Sequence, residues 1–307
     1  MPDNVEVVVR CPIINPDTGR SSRRYEFAGV VDVIEDSKIV DWKSCSNIDT
    51  FVREKKIGFQ PYLYALAAQS AGYRIDEIEY RLIETPSIRF CGKDKWDIAA
   101  YEDRCFEWLH ATPNHLMTYS IMINSARMQQ TKVFLWDCAK RLLENYAKDR
   151  WLPNEHACHK WQRVCEYAPL CEAMVDGLDV DWIIKDSFEK RESHLKEIES
   201  DRKFITYTSL STLTLCEMKY FWRYVHNLTP RTDYHEARWL GSAMHRGLEA
   251  YAQGGAQAAK LAIYAWEREN PALGEGTKYV DQQCAKARAM VRAAAAKWPH
   301  EGAKDVS

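Results

Sequence analysis

Two short apolar runs, each carrying one aspartate, constrain this chain more than any other feature. Residues 25–34 (YEFAGVVDVI) and 38–43 (KIVDWK) are rich in β-branched and aromatic residues, and Glu35, Asp36 and Ser37 between them are turn formers. The spacing predicts an antiparallel hairpin turning on Asp36 and Ser37, which puts Asp32 opposite Asp41 and Lys43 on their face. Facing Cβ atoms in such a pair lie about 4.5 to 5.5 Å apart, so two carboxylates there repel unless a positive charge sits between them. Val31, Val33, Val40 and Trp42 take the other face while Ile34 and Ile39 flank the acids, so the hairpin is expected to be buried on both sides. Buried unpaired carboxylates are costly. A divalent cation answers the problem; a surface hairpin with solvated acids, or an ion pair between Lys43 and one aspartate, answers it too.

A buried hairpin needs a core, and a chain of 307 residues that is 46% apolar can build one large core or two modest ones. Lys plus Arg total 42 against 44 for Asp plus Glu, so nucleic acid would have to be held by a local patch rather than by overall charge. No apolar run nears the roughly 20 residues that span a bilayer, and the start MPDNVE has no signal-peptide core. A cytoplasmic protein without membrane contact is the expectation.

Residues 4–10 (NVEVVVR) and 75–84 (IDEIEYRLIE) also read as strands. Helical periodicity runs from about 51 to 72, with Gly72 as a stop, and further helices are expected at about 94–111, 125–148 and 236–252, with a helical tail over 256–298. In the first of these, Gln60 and Tyr64 stand four apart on one face. Residues 176–204 intersperse both signs of charge in the manner of a solvated helix or linker. Thr208, Ser209 and Ser211 then open an apolar helix, followed by the aromatic run CEMKYFWRYV.

Ten cysteines in a chain of this kind argue against a disulfide framework and for metal or cluster ligation. Cys158, Cys165 and Cys171 fall together in CHKWQRVCEYAPLC, one thiolate short of the usual four, and the nearby His156 and His159 keep zinc open. Cys11, Cys45, Cys91, Cys105, Cys138 and Cys284 read as ordinary buried thiols. Near the other end, His245 in GSAMHRGLE has Glu249 one helical turn beyond it.

Gly29-Val30-Val31-Asp32, Asp41-Trp42-Lys43 and Gln60 through Tyr64, in that order, resemble the motifs of PD-(D/E)XK nucleases of the RecB-like branch, and Gly241 through Glu249 resembles their histidine helix. The resemblance implies an α/β fold: a restriction-endonuclease-like core with a mixed central sheet flanked by helices, plus a helical iron-sulfur subdomain. It implies that Asp32, Asp41, His245 and the backbone carbonyl of Trp42 hold Mg2+ or Mn2+, hard cations that suit oxygen ligands. Lys43 would orient the attacking water or stabilise the developing charge, Gln60 and Tyr64 would position the DNA backbone, and Glu6 and Glu249 stand as secondary acids. YTSLSTLTLCEMKYFWRYV is similar to the opening segment of relatives with an iron-sulfur domain, which implies a 4Fe-4S cluster on Cys158, Cys165, Cys171 and Cys216, with zinc as the lesser alternative. The implied activity is hydrolysis of DNA phosphodiesters, as an exonuclease in recombination, repair or phage DNA metabolism. DNA is the implied partner, with recombination or replication proteins beside it and an oligomer allowed. The alternative is a non-catalytic DNA-binding scaffold with a structural iron-sulfur or zinc site.

In the family, the segment with the first cysteine and the histidine comes first. Here residues 1–175 hold what is usually the second half, 176–204 a charged linker, and 205–307 what is usually the first half, an order that resembles a circular permutation. One site within the chain is then expected, with Asn4 near 298–305 and Cys216 beside Cys158. Exchange of halves between neighbouring chains, or a fragment of a longer protein, are the alternatives.

Overall fold

A computed structural model describes residues 5–92, 97–160, 163–191, 200–231, 236–270 and 277–299. Strands β1 (Val5–Ile14) and β2 (Ser21–Glu35) come first. Asp36, with φ of 48°, and Ser37 then turn the chain into β3 (Lys38–Cys45). Val33 pairs with Val40, Ile34 with Ile39 and Glu35 with Lys38, the register that the turn residues predict.

The single helix expected over 51–72 is two helices. In α1 (Ile48–Ile57), Asn47 accepts the Thr50 N–H at the start, and extended Gly58 ends the helix. In α2 (Gln60–Ser70), Pro61 sits in the first turn, where its missing N–H costs nothing. The apolar period continues across Gly58, so periodicity alone hides the break. β4 (Glu77–Glu84) follows, then α3 (Ile98–Ala111), which Asp97 caps; residues 94–96 of the expected helix lie outside the described residues. Strand β5 (Leu116–Met122) is not among the strands expected from sequence, because its half-exposed, Thr- and Ser-containing pattern carries little signal.

The expected helix at 125–148 forms as α4 (Ser125–Lys148). Short elements come next: α5 (Glu155–Cys158), β6 (His159–Lys160), β7 (Arg163–Val164) and α6 (Ala168–Val175). The charged stretch 176–204 is more structured than a linker, since it contains α7 (Asp181–Ser187), β8 (Phe188–Lys190) and the start of β9 (Lys203–Ile205). Residues 192–199 lie outside the described residues. Then come α8 (Tyr207–Leu215), α9 (Glu217–Tyr220), a π-helical turn at Phe221–Val225 and β10 (Leu228–Pro230). Thr206, rather than a later hydroxyl, caps α8 in a reciprocal box with Ser209. Helix α10 (Glu236–Glu269) bends at Gly255, whose φ of 75° suits glycine, and α11 (Thr277–Lys297) ends the described secondary structure.

The sheet runs in the order β1-β2-β3-β4-β5, with β9 paired to β2. It is mixed: β2 and β3 are antiparallel, β3 and β4 parallel, β4 and β5 antiparallel, and β9 parallel to β2. A mixed central sheet flanked by helices is the α/β architecture expected of a restriction-endonuclease-like core.

The chain divides into two compact units. The first comprises residues 1–8, 30–123 and 234–307. Its core joins Val40, Trp42 and Ile83 of the sheet to Met244 and Leu248 of α10 and Met290 of α11, with Val5 and Trp298 packed against it. Asn4 and residues 300–305, expected to lie together, are outside the described residues. The second unit comprises residues 9–29 and 124–233, and its core gathers Tyr167, Leu170, Ile183, Phe188, Trp222 and Leu228. Ile183 and Phe188 supply buried apolar surface from the stretch whose charge pattern suggested solvent.

Candidate active site

In the first unit, the hairpin ladder brings Asp32 and Asp41 to the end of its paired segment. Asp32 does not merely face Asp41, for its Oδ2 accepts the backbone N–H of Trp42 at 2.8 Å. Asp41 is 4% exposed, and the Lys43 ammonium donates to its Oδ1 at 2.8 Å and to the Trp42 carbonyl at 3.1 Å. The period-2 geometry of β3 places these two side chains on one face, as the sequence predicts. Asp41 Oδ2 is buried with no hydrogen-bond partner among the described residues.

The electrostatics follow from burial. Removal from water pushes the Asp41 carboxyl up to about 6, with Lys43 opposing the rise and Asp32 adding to it. Burial works against the Lys43 ammonium, but Asp41 and Asp32 outweigh it and hold its pKa above the ordinary value. The buried anion and its adjacent cation thus stabilise one another, leaving a carboxylate oxygen with capacity for a further positive partner.

His245 is delivered from α10, and its Nδ1 lies 3.6 Å from Asp32 Oδ2. Burial lowers its pKa, Asp32 opposes, and Lys43 adds to the fall, which favours the neutral imidazole that ligates metals. Gly247, two residues on, explains how α10 settles. A Cβ there would meet Ile263 Cδ1, in the part of α10 beyond the Gly255 bend, at 2.7 Å and Val291 Cγ2 of α11 at 2.9 Å, so those side chains would have to shift to admit one.

Gln60 and Tyr64 stand on α2 as their spacing predicts, with Gln60 Nε2 3.4 Å from the Tyr64 hydroxyl. Of the two secondary acids, Glu249 engages Arg246 at 3.3 Å. Glu6 has a left-handed backbone, with φ of 52°. Burial, then Asp32 and Glu249, push its carboxyl up to about 7, against Lys43 and Arg246. One further residue at this centre has no signal in the sequence. The Lys55 ammonium, from the last turn of α1, donates to Gln60 Oε1 and senses the charge of Asp41 and Lys43. Nothing in VREKKIG distinguishes Lys55 from Lys56, because only the packing of α1 turns one of them inward.

The second unit collects the cysteines. The Asn154 N–H donates to Cys216 Sγ at 3.3 Å, and Cys158 Sγ donates to the Asn154 carbonyl at 3.6 Å, so Cys158 and Cys216 meet around one residue. Burial raises the Cys171 thiol to about 11; the Trp222 indole lowers it, while Cys165, Cys216 and Cys158 add to the rise. Cys158 and Cys171 line a cavity of about 800 Å³ with Asn154 and Val175. His156 and His159 are exposed, and His156 lines the same cavity as Cys158 and Cys171. Of the other cysteines, Cys11, Cys105, Cys138 and Cys284 are buried as expected, while Cys45 and Cys91 are partly exposed.

Among the described residues, no group of three or more His, Cys, Asp or Glu side chains is arranged to hold a metal ion. At the hairpin, the donor chemistry nevertheless suits a hard divalent cation, since Asp41 offers a buried carboxylate oxygen with no partner among the described residues. In the second unit, Cys158 and Cys216 meet at Asn154, and Cys171 feels the charge of Cys165, Cys216 and Cys158; thiolates are ligands that soft metals prefer. No described helix is long and apolar enough to cross a membrane.

No curated protein and no solved structure matches the chain. Residues 205–306, the segment that brings Cys216, His245 and Glu249 and does not include the acidic hairpin, fit the family model of the PD-(D/E)XK nuclease superfamily.

Proposed function

We propose that the protein is a Mg2+- or Mn2+-dependent deoxyribonuclease of the RecB-like branch, acting as an exonuclease. One observation carries the reading. The segment that fits the nuclease family model brings His245 to 3.6 Å from Asp32, on a hairpin outside that segment which bears the Asp-x-Lys pattern as Asp41 and Lys43. Asp32, Asp41, His245 and the Trp42 carbonyl would hold the ion. When bound, it supplies neutralisation of phosphate charge and a lowered water pKa. Lys43 stays protonated beside the reacting phosphate and stabilises the charge that develops there, while Gln60 and Tyr64 hold the backbone in place. Glu6 and Glu249 are secondary acids of the same centre.

The same proximity supports a permuted order in which residues 1–175 and 205–307 build one site within the chain. We also assign Cys158, Cys165, Cys171 and Cys216 to a 4Fe-4S cluster, supported by the contacts that Asn154 makes with both Cys158 and Cys216. Its role is structural, tying sequence-distant segments of the second unit together.

A second reading is a DNA-binding scaffold that cleaves nothing. It is favoured by the absence, among the described residues, of a ready three-ligand metal group and by the Lys43 ammonium lying against both Asp41 and the Trp42 carbonyl. Digestion of DNA labelled at the 5' or the 3' end, with Mg2+ or Mn2+, separates the two. The nuclease reading expects metal-dependent degradation that Asp41→Ala abolishes; binding without any degradation supports the scaffold.

A further inference from the structure

Lys55 occupies a position that its surroundings make expensive. It leaves the last turn of α1 and passes over the Phe51 ring at 5.1 Å and the Tyr80 ring at 6.0 Å, two rings that meet edge to face at 5.5 Å. This aromatic seat stabilises a cation but strips it of water. Burial lowers the Lys55 pKa, and Lys43 lowers it further while Asp41 opposes.

The Lys55 ammonium donates to the side-chain amide of Gln60. A lysine ammonium has donors and no acceptor, so it accepts only one orientation of that amide, the one with Oε1 toward Lys55. The amide NH2 is then directed the other way, where Nε2 lies 3.4 Å from the Tyr64 hydroxyl. Gln60 is 9% exposed, so its amide has little freedom to find water instead. An amide NH2 group fixed in this way suits an anionic oxygen as its further partner.

We propose that Lys55 is a positioning residue: it locks the Gln60 amide with its NH2 group presented to a backbone phosphate oxygen of bound DNA. The role rests on the nuclease reading above. Lys55 thus decides the polarity of Gln60, because the same amide turned over would offer its oxygen to the phosphate and repel it.

The test compares Lys55→Met, Lys55→Arg, Gln60→Ala and the double variant Lys55→Met/Gln60→Ala, all in the full chain. Cleavage of labelled DNA is measured with Mn2+, and binding of the same DNA by fluorescence anisotropy with Ca2+ in its place. Lys55→Met is expected to lower kcat/KM roughly tenfold to a hundredfold, chiefly through weaker DNA binding. Lys55→Arg, also a donor without an acceptor, should restore most of it. Because Lys55 acts through Gln60, the double variant should be no worse than Gln60→Ala alone. Additive losses, no rescue by arginine, or a Lys55→Met protein equal to wild type would each overturn the role while leaving the nuclease reading intact. A wild-type protein that cleaves no DNA would overturn both.

Discussion

His245 Nδ1 lies 3.6 Å from Asp32 Oδ2, within one compact unit assembled from both ends of the chain and its early middle. The histidine helix therefore reaches the acidic hairpin of its own chain. If this contact completes the active site, a mixture of His245→Ala and Asp41→Ala proteins should stay inactive on labelled DNA. Recovered activity would instead mean that neighbouring chains exchange halves.

Asp41 gives the metal-free protein a pH signature. Its carboxyl titrates at about 6 in the fold against an ordinary 3.8, mainly through burial. The unfolded state then gives up its proton first as pH rises, so folding stability falls between about pH 4 and 6. Asp41→Asn should remove that part of the slope in thermal denaturation followed across this range without added metal. Metal affinity runs the other way, because the ligand must be ionised, and should rise over the same window.

Lys43 touches Asp41 and the Trp42 carbonyl but is itself no ligand. Lys43→Ala is expected to lower kcat by roughly 10² to 10³, while Mn2+ affinity measured by calorimetry changes little. Equal losses in both would count against the assigned division of roles.

The thiols make a prediction about colour. Anaerobically purified protein should be brown, and Cys216→Ser should bleach it as fully as Cys165→Ser, with iron content falling in step. A colourless protein holding stoichiometric zinc would end the cluster assignment.

Gly247 tests how the histidine is placed. Its missing Cβ leaves room for Ile263 and Val291, which a methyl group would meet at 2.7 and 2.9 Å. Gly247→Ala should destabilise the fold by about 1–3 kcal/mol in urea unfolding. Because the clash would shift α10, it should also reduce metal affinity. A fully stable variant would show that the two aliphatic side chains yield freely.

The hairpin was legible from sequence because its information is local. Two turn residues set the register, the period of two put Asp41 and Lys43 on one face, and the β-branched flanks announced burial. The helix at 125–148 was legible for the same reason. Where burial depends on distant partners, the pattern misleads or falls silent. Gly58 divides an apolar period that looks continuous, and Phe188 is buried from a stretch rich in charge. Half-exposed β5 gains its place by pairing with β4. At the site, sequence alone named the acids, the lysine and the histidine as residue types. Only tertiary structure decided that α10 brings His245 to Asp32, that Asn154 touches both Cys158 and Cys216, and that Lys55 rather than Lys56 turns inward to Gln60. Each is a long-range or packing-dependent contact, and its free energy comes from neighbours that no window along the chain contains.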